Sequence, residues 1–131
     1  MIRKQDSYAW VLAILCIISL FLFIGEAFFN TRGEPREAVV ALSMLQEKNW
    51  ILPVNNGVEL AFKPPLFHWM IAAISFVTGA VTEYTSRMPS ALALAVMVLA
   101  GYGFYARRRG AEVAFLMGLI TLTNFEVHRA G

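Results

Sequence analysis

Residues 33–65 read GEPREAVVALSMLQEKNWILPVNNGVELAFKPP. This polar stretch lies between long apolar runs, and its reading decides how the chain is organised. Pro35 suits the first turn of a helix, where a missing N–H costs nothing. Ala38, Val39, Ala41, Leu42 and Leu45 recur at helical spacing, and Arg36, Glu37, Ser43, Glu47 and Lys48 supply the polar side. The pattern predicts an amphipathic helix over residues 35–48, lying on a membrane surface, with Asn49 as its stop. Trp50 follows as an interfacial anchor. Residues 51–54 and 58–62 flank Asn55-Asn56-Gly57, a turn signal because Asn-Gly tolerates positive φ, so a short hairpin or tight loop is expected. Lys63-Pro64-Pro65 closes the stretch.

The remaining chain is built for lipid. Of 131 residues, 58% are hydrophobic and only 15% charged, with a mean hydropathy of +0.59. That apolar content exceeds the roughly 45–50% of soluble domains and comes in long runs. A net charge of +2 is too small to argue for a nucleic-acid partner. The single cysteine, Cys16, lies inside the first apolar run and can form no disulfide within the chain. The chain stops just after an apolar segment, at His128-Arg129-Ala130-Gly131, and is expected to be the N-terminal part of a longer polytopic protein.

Residues 7–25 carry no charge and are long enough to cross a hydrocarbon core of roughly 30 Å. Tyr8 and Trp10 sit at the near end as an aromatic belt. A signal peptide would have a shorter apolar core and a small-residue cleavage site, whereas this run ends in Glu26-Ala27-Phe28-Phe29, as an uncleaved anchor does. Arg3 and Lys4 place the N-terminus in the cytoplasm. Further uncharged runs cover residues 64–82, 88–106 and 113–125, the last extendable to 111–127 if Glu112 and Glu126 reach the two interfaces. Charge chooses among them. If 64–82 lies on the outer face as an interfacial helix, 88–106 is the second span and Arg107-Arg108-Arg109 falls in the cytoplasm, as basic clusters prefer. If 64–82 crosses, the triplet lands outside, and this four-span reading stands as the alternative. Ser86-Arg87-Met88-Pro89 reads as cap, anchor and first-turn proline of the second span. Gly101 and Gly103 along it suit close helix packing.

Several of these residues resemble one family. Trp50, Pro53, Asn56, Gly57, Lys63, Pro64, Pro65 and Leu66 have the spacing of the first extracytoplasmic loop of membrane glycosyltransferases that use polyprenyl-phosphate sugar donors. The type is that of families 39 and 83, related to protein O-mannosyltransferases and to the aminoarabinose transferase of lipid A. Arg87, Pro89, Ser90, Ala91 and Leu92 match the family's Arg-x-Pro-Ser-Ala-Leu at the head of its second span. Arg36 and the helix from Ala38 to Leu45 match its first loop helix.

The resemblance implies an all-α polytopic membrane protein, the N-terminal fragment of a GT-C-type helical bundle with interfacial helices in the first periplasmic loop. It also implies residence in the cytoplasmic (inner) membrane, an active site on the outer face, a polyprenyl-phosphate-linked sugar as donor, and a lipid or protein acceptor. No cofactor is expected. Two features depart from the family pattern. Gly33 stands where the family has the Asp of an Asp-Glu pair, which leaves Glu34, and Phe62 stands where a Glu commonly precedes the lysine. A second family carboxylate would fall just past Gly131.

Most candidate residues have a structural reading beside the functional one. Glu34 is the catalytic acid/base candidate for an acceptor hydroxyl, or an acid complementing the helix dipole. Lys63 binds donor phosphate as a point charge, or is an interfacial lysine extending its amine to water. Arg36 holds phosphate, or pairs with Glu37 or a lipid headgroup. Arg129 enters as a donor-phosphate residue on the resemblance alone. Arg87 reads as a helix-end anchor, and His68 as a substrate contact or a satisfied interfacial histidine. His68 and His128 are too far apart, without clustered acids, to make a metal site. A different class remains open, a small multispan membrane subunit with no chemistry of its own. The fragment alone is expected to be inactive.

The preferred topology puts Arg107–Arg109 in the cytoplasm. Single cysteines introduced there, in a Cys16→Ser background, should resist an impermeant maleimide in intact cells and label after permeabilisation. Labelling in intact cells would select the four-span reading.

Overall fold

The computed structural model describes residues 4–22, 24, 33–51, 53–55, 59–60 and 64–124. Among the described residues are five helices, α1 (Lys4–Phe21), α2 (Gly33–Glu47), α3 (Leu66–Thr78), α4 (Glu83–Arg109) and α5 (Ala111–Leu122). A two-residue antiparallel pair, β1 (Val54–Asn55) and β2 (Glu59–Leu60), lies between α2 and α3, with Val54 opposite Leu60 and Asn55 opposite Glu59. One helix among the described residues, α4, is long and apolar enough to cross a membrane, and at 1.5 Å per residue its 27 residues extend about 40 Å. The apolar helices α1, α3 and α5 are shorter.

The chain forms two compact units, one of Met1–Phe23 with Ser90–Gly131, the other of Ile24–Pro89. In the first unit α1 packs on α5. Gly118 makes that approach close: a Cβ placed there would stand 2.7 Å from Leu12 Cδ2, and Leu12 is fully buried. The Tyr8 and Phe115 rings meet at a tilt of 36°, 5.2 Å between centres, along the same seam. The close contact expected at Gly101 and Gly103 is absent among the described residues, since nothing lies within 4 Å of a Cβ built on either. The last turn of α4 carries Arg107, Arg108 and Arg109, which complement its dipole, and Arg108 caps the Phe104 ring at 3.8 Å. Outward from this unit stand Ile14, Ile17, Val96, Phe104, Leu116 and Ile120, large apolar side chains exposed to the surroundings.

The second unit is centred on Ala41 of α2 with Ile71 and Ala72 of α3, flanked by Leu45 and Phe67. Alanine at the contact lets the two helices approach closely. Residues 68, 71, 72 and 75 are the buried stripe of α3, at the i, i+3, i+4, i+7 spacing of one helix face. Leu66, Trp69, Met70, Phe76 and Val77 form the opposite, exposed stripe, so α3 is apolar on both sides. Trp69 Nε1–H donates to the Trp50 carbonyl at 2.7 Å and ties the segment after α2 to α3.

Element ends differ from the sequence expectations for local reasons. The helix α2 stops at Glu47, and Lys48 rather than Asn49 leaves it, in the left-handed conformation at φ 57°. Asn55 belongs to β1, because its pairing with Glu59 draws it out of the turn, and residues 56 and 57 of the expected turn lie outside the described residues. The helix α3 ends at Gly79, whose φ of 85° is the usual glycine solution for a helix C-terminus. The cap of α4 is Thr82, not Ser86. Thr85 N–H donates to Thr82 Oγ1 and Thr82 N–H donates to Thr85 Oγ1, a reciprocal capping box that starts the helix a turn early. Ser86 Oγ instead donates to the Thr82 carbonyl at 2.8 Å, and Pro89 is carried inside the helix.

Gly118→Val should destabilise the α1–α5 packing by roughly 1–3 kcal/mol through overpacking against Leu12. Pairing it with Leu12→Ala should recover part of that loss. Thermal unfolding of the purified protein in detergent checks both.

Candidate functional site

The polar residues of the second unit meet where α2, α3 and the first turns of α4 converge. Glu34 lies in the first turn of α2, half-buried, and Glu37 lies one turn later, buried. Three residues apart on one helix, the two carboxylates project to the same side. Each has a contact on another helix.

Glu34 meets Arg87. The Arg87 Nη2–H group donates to Glu34 Oε2 at 3.1 Å, and its Nη1–H donates to the Ile24 carbonyl at 2.8 Å. The guanidinium is buried, with 9% of its side chain exposed, and spends two arms of its fork on fixed acceptors. Arg87 therefore does more than anchor a helix end. It pins the first turn of α2, and the chain entering the unit, to α4.

Glu37 meets His68. Its Oε2 is in ion-pair contact with His68 Nε2, and both side chains are nearly inaccessible to solvent. The other ring nitrogen, His68 Nδ1, is buried and has no hydrogen-bond partner among the described residues. A third contact joins the remaining pair of helices, where Ser75 Oγ donates to Thr85 Oγ1 at 3.0 Å in a buried position. Thr85 thus serves both the helix cap and the junction with α3.

The expected site residues fall in different places. Glu34 is inside this polar array. Arg36 is exposed on α2. Lys63 and Arg129 lie outside the described residues, and α3 begins directly after Lys63-Pro64-Pro65, with Pro65 at its N-cap. No group of three or more histidine, cysteine or acidic side chains that could hold a metal ion occurs among the described residues. Reading the sequence alone overlooked the Glu37–His68 and Glu34–Arg87 pairs. The signal was the three-residue spacing of Glu34 and Glu37, together with the face that His68 shares with Ile71, Ala72 and Ser75.

The chain is 28% identical, over 127 residues, to the undecaprenyl phosphate-alpha-4-amino-4-deoxy-L-arabinose arabinosyl transferase of Shewanella sediminis (strain HAW-EB3). The match covers 93% of this chain and 23% of that relative, so the chain spans about a quarter of the relative's length. No family model matches the chain, and no solved structure matches it. The similarity supports a distant relationship to that arabinosyl transferase.

Arg87→Ala should destabilise the unit by about 3 kcal/mol, because it leaves a half-buried carboxylate and a carbonyl without the guanidinium. Glu34→Gln should cost only about 1 kcal/mol, since the amide oxygen still accepts from Arg87. Denaturant titration followed by the fluorescence of Trp50 and Trp69, which lie in the same unit, measures both.

Proposed function

We propose that this chain is the N-terminal membrane region of a glycosyltransferase that moves a sugar from a polyprenyl-phosphate donor to a lipid or protein acceptor at the outer face of the cytoplasmic membrane. The observation that carries the proposal is the similarity along nearly the whole chain to a transferase whose name specifies an undecaprenyl-phosphate sugar. The ordered residues Trp50, Pro53, Lys63-Pro64-Pro65 and Arg87-x-Pro89-Ser90-Ala91-Leu92 support it. The contact of Glu34 with Arg87 supports it further, because it joins the head of the loop helix to the Arg-x-Pro-Ser-Ala-Leu segment.

In this reading residues 7–25, 88–106 and 111–127 cross the bilayer and the loop of residues 26–87 faces the periplasm. The exposed apolar stripe of α3, whose Trp69 is tied to the Trp50 carbonyl, rests at the headgroup level. A lipid-linked donor then presents its sugar beside Glu34 without leaving the membrane. The acceptor oxygen attacks the anomeric carbon as the bond to the phosphate oxygen breaks, and the lipid phosphate departs with the electron pair. Glu34 takes the acceptor's proton. Lys63 and Arg36, joined by Arg129, stabilise the charge that collects on the leaving phosphate.

Gly33, at the position of the family's aspartate, favours one other reading, a multispan subunit without chemistry. Activity separates the two. Membranes bearing the full-length protein should transfer labelled sugar from polyprenyl phosphate. Glu34→Gln and Lys63→Ala should each lower the rate by about 10²-fold or more. Transfer undiminished in both variants would remove these roles, and a stably expressed full-length protein without transfer would select the subunit.

A further inference from the structure

The Glu37–His68 pair has no role in the proposed chemistry, yet both of its side chains are buried. Glu37 is 8% exposed and His68 2%. A buried polar or ionic pair seldom adds stability over a well-packed apolar pair of the same volume. This one also leaves His68 Nδ1 buried without a hydrogen-bond partner among the described residues, a further cost. Stability is therefore a poor reason for its presence. Direction is a better one. An apolar contact tolerates rotation and sliding of one helix on another, whereas a carboxylate facing one ring nitrogen does not.

What the direction fixes is the azimuth of α2. Glu34 and Glu37 are one turn apart, so rotating α2 enough to free Glu37 from His68 also swings Glu34 away from Arg87. The two contacts hold one helical turn to two different helices, α3 and α4. A misplacement near 1 Å at a reacting group can reduce turnover by about 10²-fold.

We propose that Glu37 and His68 are a positioning pair that sets the orientation of Glu34 in the transfer reaction. The inference rests on the function proposed above. Neither residue touches substrate. His68 acts from the first turn of α3 through Glu37, and Glu37 acts through the turn of α2 that it shares with Glu34.

The test uses the full-length protein in lipid nanodiscs. Glu37→Leu and His68→Leu should each lower kcat by 10- to 100-fold while KM for the polyprenyl-phosphate sugar stays within twofold. The double variant should be no slower than the slower single, since the pair acts as a unit. The exchanged pair, Glu37→His with His68→Glu, should recover at least a third of the parent rate. Independently of activity, spin labels at the exposed positions Leu42 and Phe76, with Cys16 replaced by serine, report the spacing of α2 and α3. Their narrow distance distribution should broaden in either single variant and narrow again in the exchanged pair. Unchanged kcat in both singles, additive losses in the double, or a fall in affinity without a fall in kcat would each overturn the proposal. A parent protein that transfers no sugar, with the distance distribution still broadening in the singles, would refute the proposed function while leaving the pair's control of α2 intact.

Discussion

The second unit depends on a closed circuit of three polar contacts, one for each pair of helices. Glu34 and Arg87 join α2 to α4, Glu37 and His68 join α2 to α3, and Ser75 and Thr85 join α3 to α4. The apolar centre of Ala41, Ile71 and Ala72 supplies proximity, but these are small or compact side chains that select no single rotation between helices. The polar circuit selects it. Opening any one edge leaves a buried group short of its partner, so the three junctions support each other more than three isolated contacts would.

Arg87 is the most demanding member of that circuit. Its guanidinium has acceptors on two segments, the Ile24 carbonyl and the Glu34 carboxylate, and lysine could not reproduce the fork. The early start of α4 makes this possible. Because Thr82 and Thr85 cap the helix at Glu83, Arg87 already sits in the second turn, on rigid backbone, when its side chain reaches across. Had the helix begun at Met88, as the Ser-Arg-Met-Pro sequence invites, the arginine would have projected from a loop with more freedom to lose. The capping box and the buried ion pair are thus linked through the chain.

The same arrangement explains how a loop between apolar segments can be specific without a large core. Buried area is modest, and α3 keeps Leu66, Trp69, Phe76 and Val77 outward. For a helix with apolar side chains on both faces, hydropathy alone gives little preference for rotation. The polar side chains His68 and Ser75 break that degeneracy by demanding partners inside the unit.

Much of this was legible from residue order alone. The apolar runs, the amphipathic pattern from Ala38 to Leu45 and the turn residues after Val54 follow from local rules of periodicity and backbone freedom, and the helices and the short antiparallel pair appear near those places. Glu34 could be singled out by the resemblance, as the remaining acid of the family's Asp-Glu pair, with an acid at a helix start as its other reading. Its partner could not, since Arg87 lies 53 residues away and no local rule distinguishes it from Arg36, which the fold leaves exposed. The pairing of Glu37 with His68 and the seat of Leu12 against Gly118 were hidden for the same reason. Propensity and hydropathy act within a few residues. Which of several chemically equivalent side chains loses its water, and which partner replaces that water, is settled only when distant helices pack.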